Sequence, residues 1–313
     1  MDDEATSIAA GAGDPDCLAV LYKERQKVAN RHVLLLAFLV ASALPSRGQI
    51  QVLAVTSSAN FAIGSLLPGS LASLFCTGIQ NVGGLIAAQE YPLPRILAGV
   101  RVTVNGTEAP ILAIADLAGG SYQQINVQVP WGVTIASGLD FEVGQSGASS
   151  HFIRSPGGSW PVFFVDSSGY AIAQHASDYR LVNRSDPANP GEWIVVYATN
   201  LGPVQNQPSD GSPAPPNVNP TVPDTSPYAY YYGLAVGPSA DSMSARIQSN
   251  YIGMAPGSII YQVNVLVPSS PPAGDLVFQL VNIHNCGFFF IVGCGRGFAT
   301  QAASMPAKIP VGM

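Results

Sequence analysis

Apolar and polar residues alternate along much of this chain with the period of an extended strand. In QINVQVPWG (Gln124–Gly132), Ile125, Val127 and Val129 fall on one side; Gln124, Asn126 and Gln128 fall on the other. QVNVLVPSS (Gln262–Ser270), 138 residues further on, repeats the apolar set as Val263, Val265 and Val267. The pattern predicts a half-buried antiparallel strand in each copy, with one face to a core. The proline that closes each copy has no N–H for a ladder and ends the strand.

The likeness extends on both sides. PGSLASLFCTGI (Pro68–Ile79) precedes the first copy and PGEWIVVYATNLG (Pro190–Gly202) the second. SGLDFEVGQSG (Ser137–Gly147) follows the first and AGDLVFQLVNIH (Ala273–His284) the second. Each copy reads as strand, variable middle, strand, Gln-(Ile/Val)-Asn-Val-x-Val-Pro, turn, strand. A repeat this long means tandem domains rather than a solenoid. VRVTVNGTEAPILAI (Val100–Ile114) reads as a hairpin turning at Asn105-Gly106, a type I′ sequence. The elements predict an all-β fold of two tandem immunoglobulin-like β-sandwiches after an N-terminal signal or hydrophobic segment. The expected divisions are 1–43 for that segment, 50–155 for the first sandwich, 156–189 for an ordered connector and 190–305 for the second sandwich. Seven prolines in 206–227 predict an extended crossing loop within the second.

Composition agrees. Of 313 residues only 10% are charged, against about 25% in an average domain, while 32 glycines and 26 prolines supply turns. The net charge of −6 and the lack of a Lys/Arg cluster in the body exclude nucleic acid as an expected partner. Basic residues Lys23, Arg25, Lys27 and Arg31 precede the apolar run Val33–Ala43, which is too short to span a bilayer comfortably. Together with Ala41-Ser42-Ala43 they predict a secretory signal cleaved after Ala43, with an uncleaved anchor as the alternative. Export would remove Cys17. Cys76 sits in an apolar run and is expected to pack as a small hydrophobe. Cys286 and Cys294 flank GFFFIVG and in an oxidising compartment could close a small loop worth about 2–3 kcal/mol.

LLPGSLASLFCTG, VTVNGTEAPI, QINVQVPW, DPANPGEWIVVYATNLGPV, DGSPAP and YQVNVLVP occur in that order. Over Ala54–Leu280 the ordered set resembles an uncharacterised domain family at the C-termini of secreted acidobacterial proteins, whose members look like tandem modules of the IPT/TIG kind. The resemblance implies secretion and an immunoglobulin-like fold. It implies no activity, and no catalytic residue is carried over. The cysteine-flanked insertion is outside the family pattern.

Reactive constellations are sparse. GQSGA (Gly144–Ala148) lacks the second glycine of a nucleophile elbow and lies between strands. His151, His175 and His284 each read as a solvated polar residue. Asp166, Asp178, Asp186 and Glu192 crowd the connector, where turn chemistry accounts for Asp166 and Asp186, and no EF-hand spacing appears. A hydrolase site at the junction, near His175 and Asp178, ranks last among the readings. No cofactor and no metal ligand set is called for. The four tyrosines of PYAYYYG (Tyr228, Tyr230, Tyr231 and Tyr232) are candidates for an aromatic platform against sugar rings. Three of them share parity with Leu234 and Val236 and would then face the core, leaving Tyr231 outward. Phe288, Phe289, Phe290 and Ile291, between the two cysteines, form a candidate interaction tip or else fold back over the sandwich end. Trp131, Trp160 and Trp193 read as structural, Trp193 as packing between sheets. The expected function is a non-enzymatic structural or adhesion protein, secreted or on the outer side of the cell envelope. The alternative is carbohydrate binding on the tyrosine strand. The partner is open between an envelope protein and a polysaccharide.

Overall fold

The computed structural model describes residues 49–313 except 65, 156–160, 216–230, 238–244, 248, 250, 272–273, 284–299, 304–306 and 313; for 231–237, 245–247, 279–283 and 300–303 the backbone alone is described. The fold is all-β, and among the described residues there is no α-helix and no helix long and apolar enough to cross a membrane.

The first unit holds β1 (Gln51–Ser57), β2 (Leu71–Thr77), β3 (Leu85–Ala87), β4 (Ile96–Leu97), β5 (Val100–Val104), β6 (Thr107–Glu108), β7 (Ile111–Leu117), β8 (Tyr122–Gln128), β9 (Leu139–Gln145) and β10 (Ala148–Arg154). Its two sheets run β1-β2-β8-β7-β3 and β10-β9-β5-β4, with β6 paired to β5, and all pairings are antiparallel. Val100, Val102 and Val104 from one sheet meet Leu74, Ile125 and Val127 from the other in a core that includes Cys76. Burial pushes the Cys76 thiol far up from its ordinary range. Asn105 (φ 48°) and Gly106 (φ 77°) both take the left-handed conformation that the β5–β6 turn needs.

The second unit holds β11 (Val162–Phe163), β12 (Ala173–His175), β13 (Trp193–Thr199), β14 (Tyr231–Gly237), β15 (Ala245–Ile247), β16 (Tyr251–Met254), β17 (Tyr261–Leu266), β18 (Leu276–Ile283), β19 (Thr300–Ala303) and β20 (Ala307–Ile309). One sheet runs β11-β13-β17-β16 with β12 also on β13; the other runs β15-β14-β18-β19 with β20 on β18. Ile194, Val196, Val263 and Val265 pack against Leu276, Phe278 and Ile309. The rings of Phe163 and Phe278 lie 4.8 Å apart at 55°. Both units are immunoglobulin-like β-sandwiches.

The repeat holds at the level of register. β2 pairs β8 with Leu71 opposite Gln128 and Leu74 opposite Ile125. β13 pairs β17 with Trp193 opposite Leu266 and Val196 opposite Val263. These are the same positions of the two copies. The Pro-Gly turns repeat as well: Gly69 N–H donates to the Val129 carbonyl (2.8 Å) and Gly191 N–H to the Val267 carbonyl (3.1 Å).

The segment 156–189, read from sequence as a connector, supplies the first strand of the second unit in two pieces. β11 pairs Phe163 with Ala198, and β12 pairs Ala173 with Val196. The matching strand β1 pairs Val52 with Cys76 and Val55 with Leu74, and carries its register shift at the same place. A bulge in the first unit is therefore a nine-residue excursion, 164–172, in the second. The excursion turns at Asp166–Gly169 and hydrogen-bonds through Ala171 N–H to the Lys308 carbonyl (2.8 Å) beside β20.

One expectation fails at the repeat itself. Gln124, Asn126, Gln262 and Asn264 are no more than 4% exposed, so the amide face is buried and not solvated. In the first unit the loop after β1 covers that face. Phe61 packs edge-on against Phe75 (5.8 Å), and Ser58 Oγ lies 2.9 Å from Ser73 Oγ. Ser73 Oγ–H and the Gln124 amide then both donate to Asn126 Oδ1, at 2.7 and 2.8 Å. In the first copy the amides are held by these bonds, and in the second Gln262 Nε2 donates to Asn264 Oδ1 (2.8 Å) while Gln262 Oε1 is buried without a partner among the described residues.

Candidate functional site

The candidate binding residues lie in the second unit. Tyr228 and Tyr230 fall outside the described residues. Tyr231 and Tyr232 open β14, opposite Ile283 and Asn282 of β18. Phe288, Phe289, Phe290, Ile291, Cys286, Cys294 and His284 also fall outside the described residues.

His175, Asp178, Asp186 and Glu192 come together in the second unit, linked through His175 and Arg180. His151, the other described histidine, is exposed on β10, with Nδ1 3.1 Å from Asp140. His175 is 2% exposed, a correction to its reading as a solvated residue. It stands at the end of β12, where the first unit has Ser57, and is covered by the turns that follow. Nδ1 lies 2.9 Å from Glu192 Oε1, and Nε2 lies 3.6 Å from Asp186 Oδ1. Asp178 and Asp186 both pair with the exposed Arg180. The Arg180 hydrogen bonds hold the Asp178 carboxyl below its ordinary range. Among the described residues the hydrogen-bonding partner of the His175 ring is a carboxylate and not a hydroxyl, and no group of three His, Cys, Asp or Glu side chains is placed to hold a metal ion. A nucleophilic triad needs the hydroxyl.

Comparison of the two repeats assigns Glu192 a structural task. In the first unit the Leu67 amide and the Ser70 hydroxyl donate across to Asn200 of the second unit, at 2.7 Å each. The corresponding positions in the second unit are Asn189 and Glu192. There the Asn189 amide donates to Glu192 Oε1 (2.7 Å), within its own loop. His175 braces the same oxygen. Glu192 thus closes in its own unit the loop that the first unit closes against its neighbour.

The largest feature unforeseen in the sequence is the seam between the units. A third buried cluster joins Ala59, Leu71 and Leu93 to Phe164, Ile172, Val195, Tyr197 and Ile260. Trp193 packs partly buried against this cluster, not between the sheets as expected. Around it runs a ring of hydrogen bonds. The Leu71 amide donates to Thr199 Oγ1 (2.9 Å), and the Trp131 amide to Asp210 Oδ1 (2.7 Å). The Gly211 amide donates to Gln128 Oε1 (2.7 Å), while its carbonyl accepts from the Leu93 amide (2.8 Å). Arg95 lies 3.7 Å from Asp210 as well. Gly211 has φ +76°, and a Cβ there would sit 3.1 Å from the Leu93 nitrogen, so this approach needs glycine. The proline-rich loop of the second unit thus starts as a hook on the first.

The seam uses positions where the copies differ. Asn200 (φ 68°) replaces Gly78 (φ 82°), keeping the left-handed backbone and adding an acceptor. Trp131 replaces Ser269 and joins the second unit's core cluster. Those two departures from the repeat were the signal available in the sequence.

No family model and no curated protein matches the chain. Among solved structures the chain is similar to titin domains A168–A169, at 13% identity and TM-score 0.19, over 80% of this chain and 94% of that one. Titin A168–A170 matches at 14% identity and TM-score 0.15, over 79% and 96%. An endo-fucoidan hydrolase of glycoside hydrolase family 107 matches at 13% identity and TM-score 0.17, over 85% of this chain and 29% of its own.

Proposed function

We propose that the protein is a non-enzymatic structural or adhesion protein of the cell exterior, in which two immunoglobulin-like modules are held as one rigid block. The observation that carries this reading is the seam. Its buried apolar cluster and its cross-unit hydrogen bonds tie the units together, whereas domain junctions in a chain are by default more polar and allow relative motion. Three polar groups near the junction have structural partners: Glu192 caps a loop, His175 braces Glu192, and Asp210 anchors the hook. Contact with a partner then falls to loops at the sandwich ends and to edge strands. Export is supported by the basic stretch before Val33–Ala43 and by the family resemblance.

The test is fractionation of cells producing the full chain, with N-terminal sequencing of the exported form. The expected product starts after Ala43 and is bound to the envelope, and Phe289→Asp releases it without unfolding it. A cytoplasmic product with an intact N-terminus overturns the reading. A glycan array separates the partner classes: signal lost in Tyr231→Ala identifies a polysaccharide on the β14 strand, and no signal leaves an envelope protein.

A further inference from the structure

The two cores are not equally self-contained. Every buried member of the first unit's core cluster comes from that unit. The second unit's cluster includes Trp131, which the first unit contributes. The second unit's own repeat has Ser269 at this position. Its first strand is also weaker than its counterpart. β1 runs seven residues, whereas β11 and β12 have two and three, separated by the excursion. Phe164 and Ile172 of that excursion are buried in the seam cluster and not in the second unit's core. Val195 and Tyr197, on the outer face of β13, are at most 1% exposed, and they too belong to the seam cluster. Large apolar side chains of this kind stay buried only while their cover is folded.

We infer that the pair folds in one direction: the first unit is stable by itself, and the second completes its core only on the surface the first presents. That surface includes the Trp131 ring, the apolar side chains of Ala59, Leu71 and Leu93, and the donors Leu67 N–H, Ser70 Oγ–H and Leu71 N–H. The order matches emergence of the chain, with the template made before the unit that needs it. It goes beyond rigidity, because a rigid pair of independent modules would not show the directionality.

Residue-resolved hydrogen exchange on the full chain tests the inference, since it reads the opening of each unit separately. Val263→Ala, in the second core, is expected to speed exchange in β13 and β17 while β5 and β9 keep their protection. Val127→Ala, in the first core, is expected to open both units together. Trp131→Ser is expected to speed exchange in β13 and β17 by about a hundredfold or more, as loss of a buried tryptophan implies, with β5 and β9 changed by less than about tenfold. If Trp131→Ser does not fold, Asn200→Gly is read for the same pattern. Equal acceleration of both units by Val263→Ala overturns the inference. So does a second unit that keeps its protection in Val127→Ala, or in the seam variant.

Discussion

Asn200 Oδ1 accepts hydrogen bonds from the Leu67 amide and the Ser70 hydroxyl at 2.7 Å each, so one side chain of the second unit satisfies two donors of the first. Its backbone sits at φ 68°, the conformation of Gly78 at the same place in the first repeat. Asn tolerates this region better than other non-glycine residues, which makes it the economical replacement. Asn200→Gly keeps the backbone and strands both donors, and is expected to lower stability by about 1–3 kcal/mol. Asn200→Ala adds backbone strain and is expected to cost more than Asn200→Gly. Urea unfolding of the two variants checks the order. Equal stability of Asn200→Gly and wild type would contradict the seam assignment.

Gly69 is covered by the Trp131 ring. A Cβ at Gly69 would lie 2.0 Å from two ring carbons, on a backbone at φ +81°. Gly69→Ala is therefore expected to displace the ring and to destabilise by about 3 kcal/mol or more. Its tryptophan emission should shift to longer wavelength before unfolding begins. Gly147→Ala, at another left-handed turn with nothing within 4 Å, is the control: it carries the backbone strain without the collision.

The buried amides differ between copies. Asn126 accepts from Ser73 and from Gln124, whereas Asn264 accepts from Gln262 (2.8 Å) and faces Val195 where Ser73 would be. Asn126→Ala strands two buried donors and Asn264→Ala strands one. The first is expected to be more destabilising by about 1–2 kcal/mol in chemical denaturation. The reverse order would mean that the Ser73 bond contributes nothing.

Cys76 is 0% exposed, and its thiol is pushed far up by desolvation. The thiolate is the reactive form, so the native protein is expected to leave Cys76 unmodified by a thiol reagent at neutral pH. Labelling should proceed at the opening rate of the first unit. Fast native labelling would show that β2 is not part of a closed core.

Asp178 is held below its ordinary range, first by hydrogen bonds from Arg180. A carboxyl depressed in the folded state adds stability above its unfolded pKa and loses it as pH falls through the lower, folded value. Both side chains are exposed, so the expected effect is local and screened by salt. In Arg180→Ala the Asp178 titration should move upward when followed by carboxyl resonances, with the urea midpoint at neutral pH unchanged. A carboxyl that stays depressed in that variant would rule out Arg180 as the cause.

The all-β class, the repeat and the Asn105-Gly106 hairpin were legible in the amino-acid order because each rests on local chemistry: alternation, turn residues and prolines that end strands. Cys76 was legible as a core residue for the same reason. The burial of Gln124 and Asn126 was not, because alternation reports which side chains share a face and says nothing of what lies over it. The tertiary structure alone decided that a loop carrying Phe61 covers one such face, and that the strands hidden in the supposed connector complete the second sandwich. It also decided that Asn200, Trp131 and Asp210 meet the other unit. The hydrogen bonds among them join positions 79 to 133 residues apart, and chain entropy opposes each of them until both folded surfaces exist. Asn200 in place of Gly78 and Trp131 in place of Ser269 are marks of the seam that become readable only once the repeats are superposed by register.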